Sequence, residues 1–311
     1  MNTRKNNNSK STKSKSPFNK KTSGKSSGKS FKGADLKYKD DFNRANKTEN
    51  KSGANKPAFL ENKNKSKKGE PMPIMNRDDI RLNKFLSNAG ICSRREADVL
   101  IQTGVVSVNG KVVLEMGYKV KPGDKVTYDG ETISAEKKRY VLLNKPKDFI
   151  TTMDDPWGRK TVMSLVVKAC KERVYPVGRL DRETTGLLLF TNDGDMAKKL
   201  THPRYKCGKI YHVELNKPVD RNDLKRMIQG IELSDGITKF DKAEYVKENT
   251  REVGVELHSG KNRIVRRMFE SMGYEVVKLD RVLFAGLTKK DLPRGHFRHL
   301  TDKEVAFLKM S

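Results

Sequence analysis

Val177-Gly178-Arg179-Leu180-Asp181-Arg182-Glu183-Thr184-Thr185-Gly186-Leu187-Leu188-Leu189-Phe190-Thr191-Asn192-Asp193-Gly194 is the stretch on which the reading of this chain turns. It opens as a loop that carries one acid, Asp181, between two arginines. It continues as an unbroken apolar run, Leu187–Phe190, and closes on an Asn-Asp-Gly turn. A short continuous apolar run between turn signals predicts a strand buried on both faces. An opposite charge beside Asp181 favours its ionised form, the state a nucleophile or base needs at neutral pH. Spacing alone leaves a plainer alternative, since a loop aspartate also serves as a turn former or cap.

Outward from this stretch the chain alternates strands and helices. Tyr140–Asn144, Gly186–Thr191, Lys209–Leu215, Ala243–Lys247, Val253–Leu257 and Glu275–Val282 read as strands. Residues 195–200, 221–229, 263–272 and 302–310 read as helices. Thr301-x-x-Glu304 has capping-box spacing, and Asp220-x-x-Asp223 resembles one with Asp in place of Glu. Few helices among many strands predict an α+β catalytic domain with a mixed, mostly antiparallel sheet over residues 140–311. Residues 134–139 are polar and read as a linker.

Upstream lies a smaller module, residues 78–133. Leu82, Phe85, Leu86 and Ala89 recur at helical spacing. Ser93-Arg94-Arg95-Glu96 predicts a capping box at the start of a second helix. That helix buries Ala97, Leu100 and Ile101 and stops at Gly104. Asn109-Gly110 between Val105–Val108 and Lys111–Val113 predicts a hairpin, because both turn residues need positive φ. The order is thus helix, helix, hairpin. Arg81, Lys84, Arg94 and Arg95 fall off the apolar stripe and read either as a phosphate-binding face or as an ordinary solvated one.

The chain has 311 residues and a formal net charge of +27. Residues 1–76 hold 20 Lys and Arg against 6 Asp and Glu, a net +14, and the remainder is itself net +13. The first 76 residues lack core-forming residues and read as a disordered basic tail, either an RNA-anchoring arm or a solubility segment. So strong an excess of positive charge points to a phosphate-rich partner. No apolar run approaches the roughly 20 residues needed to span a bilayer, and no amphipathic basic helix carries bulky apolar residues. Nucleic acid is therefore favoured over membrane. The basic start has no apolar segment of a secretory signal. Three scattered cysteines, Cys92, Cys170 and Cys207, offer neither a disulfide framework nor paired metal spacing, which suits a reducing cytoplasm. His296-x-x-His299 has no companion ligands, so no metal is expected.

The Gly178–Gly194 stretch resembles the signature of pseudouridine synthases of the RsuA/RluB type, Gly-Arg-Leu-Asp-x-x-Thr-x-Gly-Leu-Leu-Leu-x-Thr-Asn-Asp-Gly, at every fixed position. Asp181 matches that family's catalytic aspartate. Lys209-Ile210-Tyr211-His212-Val213-Glu214-Leu215 resembles the strand bearing its active-site tyrosine, here Tyr211. Gly260-Lys261-Asn262-Arg263-Ile264-Val265-Arg266-Arg267-Met268-Phe269 resembles the motif whose basic residue pairs with the aspartate, here Arg266. Ile264 departs from that motif, which more usually has Gln or Glu. Lys145-Pro146 and Leu292-Pro293-x-Gly295 also fit. The upstream module is similar to the small RNA-binding domain named after ribosomal protein S-four.

The resemblance implies isomerisation of a uridine in ribosomal RNA, free or in a ribosomal-subunit precursor, with no cofactor, metal or nucleotide. It implies an enzyme of the RluB type acting on 23S rRNA, with a 16S-directed enzyme as the alternative; a monomer is expected, though no residue pattern fixes it. Arg179, Lys261 and Arg263 join Arg81, Lys84, Arg94 and Arg95 as expected RNA contacts. A non-catalytic RNA-binding assembly factor on the same scaffold is the rival class, and the trio Asp181, Tyr211 and Arg266 argues against it.

Overall fold

The computed structural model describes residues 79–310, so the basic segment 1–76 lies outside the described residues. The chain begins with β1 (Ile80–Arg81), α1 (Leu82–Asn88) and α2 (Arg94–Gln102). Leu82 and Leu86 are buried, with Phe85 packed at the edge of the same cluster. The capping box forms as read: Glu96 N donates to Ser93 Oγ at 3.3 Å, and Ser93 N donates to Glu96 Oε2 at 2.7 Å. Short strands follow, β2 (Val106–Val108), β3 (Lys111–Val112), β4 (Lys119–Val120), β5 (Val126–Tyr128) and β6 (Glu131–Thr132). Asn109 and Gly110 both have positive φ, 53° and 77°, which matches the hairpin between β2 and β3. The sheet order is β3-β2-β5-β6, while β1 pairs separately with β4. Ala97, Ile101, Val106, Val108, Val120 and Val126 close this core.

The polar segment 134–139 is tied down rather than a free tether. Glu136 N donates to Asn88 O at 3.1 Å, Arg139 N donates to Asn192 Oδ1 at 2.8 Å, and Lys138 pairs with Asp193 at 3.0 Å.

Beyond it stand β7 (Tyr140–Lys145), α3 (Met163–Val166), β8 (Tyr175–Pro176), β9 (Thr185–Thr191), α4 (Gly194–Thr201), β10 (Lys209–Leu215), α5 (Arg221–Gln229), β11 (Lys242–Val246), β12 (Asn249–Leu257), α6 (Ile264–Ser271), β13 (Val276–Phe284), β14 (Leu287–Thr288), β15 (Phe297–His299) and α7 (Asp302–Met310). They build a nine-stranded sheet with main path β11-β12-β10-β13-β9-β7-β15. Every pairing is antiparallel except β13 with β9, so the sheet is mixed and mostly antiparallel, as the sequence predicts.

Alternation explains why β7 and β9 are apolar throughout. Side chains on successive residues face opposite sides. Val141, Leu143, Leu188 and Phe190 enter one core with Val162, Val166 and Val174. Tyr140, Leu142, Leu187 and Leu189 enter another with Met196, Leu200 and Leu308. At the other end of the sheet α5 and α6 cover Val213, Val253 and Val255 with Leu224, Met227, Met268 and Phe269.

Thr301 and Glu304 form their capping box. The expected Asp220/Asp223 box does not form. Asp220 Oδ1 accepts from Asn222 N at 2.6 Å, whereas Asp223 Oδ2 accepts the Tyr274 hydroxyl at 2.7 Å. Aspartate is one methylene shorter than the glutamate that reaches back in this motif.

Candidate active site

Asp181 sits on the loop between β8 and β9, and three neighbours fix that loop's backbone. Lys145, at the end of β7, is fully buried. Its ammonium donates to the carbonyls of Pro146, Asp181, Arg182 and Thr184 at 3.1, 3.1, 3.2 and 2.8 Å. Burial pulls its pKa down to about 8, against the raising effect of Asp181, Glu183 and Asp148. Thr151 Oγ1 donates to Leu180 O at 2.8 Å. Thr184 N donates back to Asp181 O at 3.1 Å. The carboxylate is thus carried on a backbone clamped from below, with its side chain about a third exposed, at 36%.

The clamp has its own support. Arg294 Nη1 donates to Asn144 Oδ1 at 2.7 Å and pairs with Asp280 at 3.0 Å. Burial alone would raise the Asp280 carboxyl, but Arg294 and Lys289 hold it at about 2. Thr185 Oγ1 donates to Asp280 as well. Next to it Gly186 has φ 105°, and a Cβ there would lie 2.3 Å from Arg281 O. Only glycine lets β9 and β13 come together at this point.

Tyr211 projects from β10, half-buried between two of the core clusters. It and Asp181 line one cleft of about 270 Å³. Arg179, Lys209, Lys261, Arg263 and Arg281 also line it, against the single carboxylate of Asp181. Lys209 donates to the carbonyls of Cys207, His258 and Ser259, and burial lowers its pKa. Arg281 donates to Leu187 O at 2.7 Å and lies over the Phe284 ring at 4.5 Å. Three of the four buried polar atoms without a partner among the described residues belong to Thr184, Arg266 and Arg281, around this site.

The ionic partner of Asp181 in the structure is Arg263, whose Nη1 lies 3.8 Å from Asp181 Oδ2. Arg266, the residue chosen by resemblance, is buried one turn further into α6 and donates to Val276 O at 2.8 Å. Burial and the charge of Arg263 lower its pKa, while Asp181 raises it. Arg266 therefore makes no salt bridge to Asp181 in the structure; its guanidinium is engaged by Val276 O. Arg267 points away, to Asp235 at 2.8 Å. Ile264 is buried in the core under α6, which accounts for an apolar side chain there.

The other expected contacts divide. Arg179 and Arg263 are exposed at the cleft. Lys261 lines it, but its ammonium is held by Asp235 O at 2.9 Å and Thr238 Oγ1 at 2.9 Å. Arg81, Lys84, Arg94 and Arg95 do not line the cleft. Arg94 and Arg95 are exposed in the first turn of α2 and Arg81 beside α1. Lys84 pairs with Asp195 of α4 at 2.7 Å, which makes it a strut. Lys209, Thr151 and Arg281 escape sequence reading because each looks like an ordinary strand or loop residue.

The chain resembles known proteins in sequence and in fold. A family described as RNA pseudouridylate synthase matches residues 139–271, and the S4 domain matches residues 80–126. A protein of Aquifex aeolicus named as an RNA pseudouridine synthase is 43% identical over 74% of this chain and 94% of its own length. The ribosomal large subunit pseudouridine synthase B of Bacillus subtilis is 42% identical over 74% of this chain and 95% of its own. A crystal structure of a pseudouridylate synthase superposes with a TM-score of 0.53 at 29% identity, covering 74% of this chain and 99% of that one.

Proposed function

Because this chain belongs to the RNA pseudouridylate synthase family, we propose that it converts one uridine of ribosomal RNA, in the 23S molecule, to pseudouridine. The observation that carries the chemistry is the Asp181 carboxylate, held on a clamped loop in a cationic cleft opposite Tyr211. The relative named for the large ribosomal subunit supports the choice of RNA.

The target nucleotide leaves its stack and enters the cleft, as base-modifying enzymes require. The Asp181 carboxylate, 3.8 Å from Arg263, attacks the sugar or removes a proton from it. The glycosidic bond from nitrogen 1 breaks, the uracil turns, and carbon 5 bonds to the sugar. As carbon 5 bonds to the sugar, the Asp181–sugar bond breaks, or on the second route the sugar regains its proton, so the carboxylate is restored. The carbon-5 proton is lost and nitrogen 1 gains one, so the product is an isomer and no redox partner is consumed. Tyr211 faces the uracil and assists removal of the carbon-5 proton. Arg179 and the Arg94/Arg95 pair contact phosphates, the latter at a helix start where backbone amides add to the attraction.

Three free cysteines support action in a reducing cytoplasm. Among the described residues no helix is long and apolar enough to cross a membrane. The test is to incubate the full chain with unmodified 23S and 16S transcripts and map pseudouridine. Conversion at one position of the 23S transcript is expected. Conversion in 16S alone would reassign the substrate, and conversion in neither would overturn the reading.

A further inference from the structure

Next to the cleft an internally hydrogen-bonded loop holds the chain's single tryptophan in water. Ile150 and Thr161 pair as a bridge, and Ile150 N donates to Lys160 O at 2.9 Å. These contacts close the excursion 151–160. Its tip is braced from inside: Asp155, with a side chain only 3% exposed, accepts from Arg159 N at 2.7 Å and Arg159 Nε at 3.0 Å. Gly158 turns the chain at φ 66°. Trp157 stands on this brace at 79% exposure. It adds little to the core, yet its loop is ordered by several internal bonds. A lone exposed ring is not in itself a docking patch, but one held by an internally bonded loop beside a cationic groove offers a flat face on which an unpaired base can stack.

The loop is joined to the catalytic centre. Its first residue, Thr151, is the one bonded to Leu180, next to Asp181. The cleft continues into a shallower groove that shares Val177, Gly178, Arg179 and Thr201 with it. Thr151, Thr152 and Met153, the start of the loop, form part of that groove's wall, and Lys198 adds a second cation with no carboxylate in the lining. The groove thus leads from Asp181 to the base of the Trp157 loop with positive charge along it.

We propose that the groove carries the unpaired RNA strand flanking the target nucleotide, and that Trp157 stacks on one of its bases. This rests on the RNA-modifying reading above and adds a specificity element to it. Aromatic rings stack on any base face, whereas a paired base offers no free face. Trp157 therefore selects unpaired over paired context near the target, and Arg179 and Lys198 neutralise the phosphates between.

Because Trp157 is the one tryptophan of the chain, its fluorescence reports on this contact alone. Full-length protein is titrated with single-stranded oligouridylate and with an RNA duplex of equal length. Saturable quenching by the single strand and none by the duplex is expected. Trp157→Ala should weaken single-strand binding about tenfold, within the range of one stacked base, leave duplex binding unchanged, and be largely restored by Trp157→Phe. Bound oligouridylate with unquenched Trp157 and equal affinity in Trp157→Ala would overturn the proposal, and so would no binding of oligouridylate. Pseudouridine formation by wild-type protein on 23S transcript is scored separately. Its absence alongside quenching would sink the enzymatic reading but leave the stacking contact standing.

Discussion

Asp181 has two arginines within its influence, and they hold it in different ways. Arg263 is 44% exposed and lies 3.8 Å away at the cleft mouth, whereas Arg266 is buried and bonded to Val276 O. Removing an exposed ion-pair partner costs about 0–1 kcal/mol of stability. Removing Arg266 leaves a buried carbonyl unpaired, at about 1–3 kcal/mol. Arg263→Ala should therefore cut the catalytic rate roughly tenfold or more, by loss of a charge aimed at the reacting group, with an unchanged melting temperature. Arg266→Ala should lower both rate and melting temperature. Arg267→Ala should alter neither appreciably, since Arg267 bonds to the exposed Asp235 carboxylate and to Asn262 O, away from Asp181. Turnover and thermal melts on the three variants check this; an unchanged rate in Arg263→Ala would leave Arg266 as the sole electrostatic partner of Asp181.

At the scale of elements, the site is made where β7, β9 and β13 meet. Gly186 permits the parallel contact of β9 with β13, and Lys145 joins the end of β7 to the catalytic loop. The pKa of Lys145 falls from its ordinary 10.5 to about 8 in the fold. Between those values the unfolded chain binds a proton that the folded chain does not, so the Lys145 contribution to stability rises with pH across that window. The stability difference between wild type and Lys145→Met, measured by denaturant titration, should climb from pH 8 toward 10.5. A flat difference would show that the Lys145 ammonium is not perturbed. Most of these elements are legible in sequence because they carry strong periodic or apolar signals: β10, α5 and α7 fall on the residues expected, and both Asn109-Gly110 and Ser93/Glu96 behave as their chemistry requires. What escapes is short or non-local. The strands β8, β14 and β15 and the helix α3 span two to four residues, too few for periodicity. The clamp by Lys145 and the partner choice between Arg263 and Arg266 depend on contacts between residues distant in sequence, which no spacing rule contains.

For the whole molecule, the proposed function divides the work: charge is expected to hold the RNA and the cleft to choose the base. Residues 1–76 carry +14 of the +27. For every phosphate that the protein ceases to neutralise, the slope of log affinity against log salt falls by roughly 0.7–0.9. Deleting residues 1–76 should weaken RNA binding and flatten that slope while the same uridine is modified; affinity measured over a salt series checks it. An unchanged slope would make the segment a solubility tail, and a changed uridine would give it a part in site choice. On the proposed function, Asp181 performs the chemistry while the basic surface performs the binding. Single-turnover tritium release from carbon-5-labelled rRNA, measured beside RNA affinity for Asp181→Asn, tests it most directly. No release is expected, with affinity within a few-fold of wild type, since the amide removes the carboxylate and leaves every cation in place. Release near the wild-type rate would contradict it.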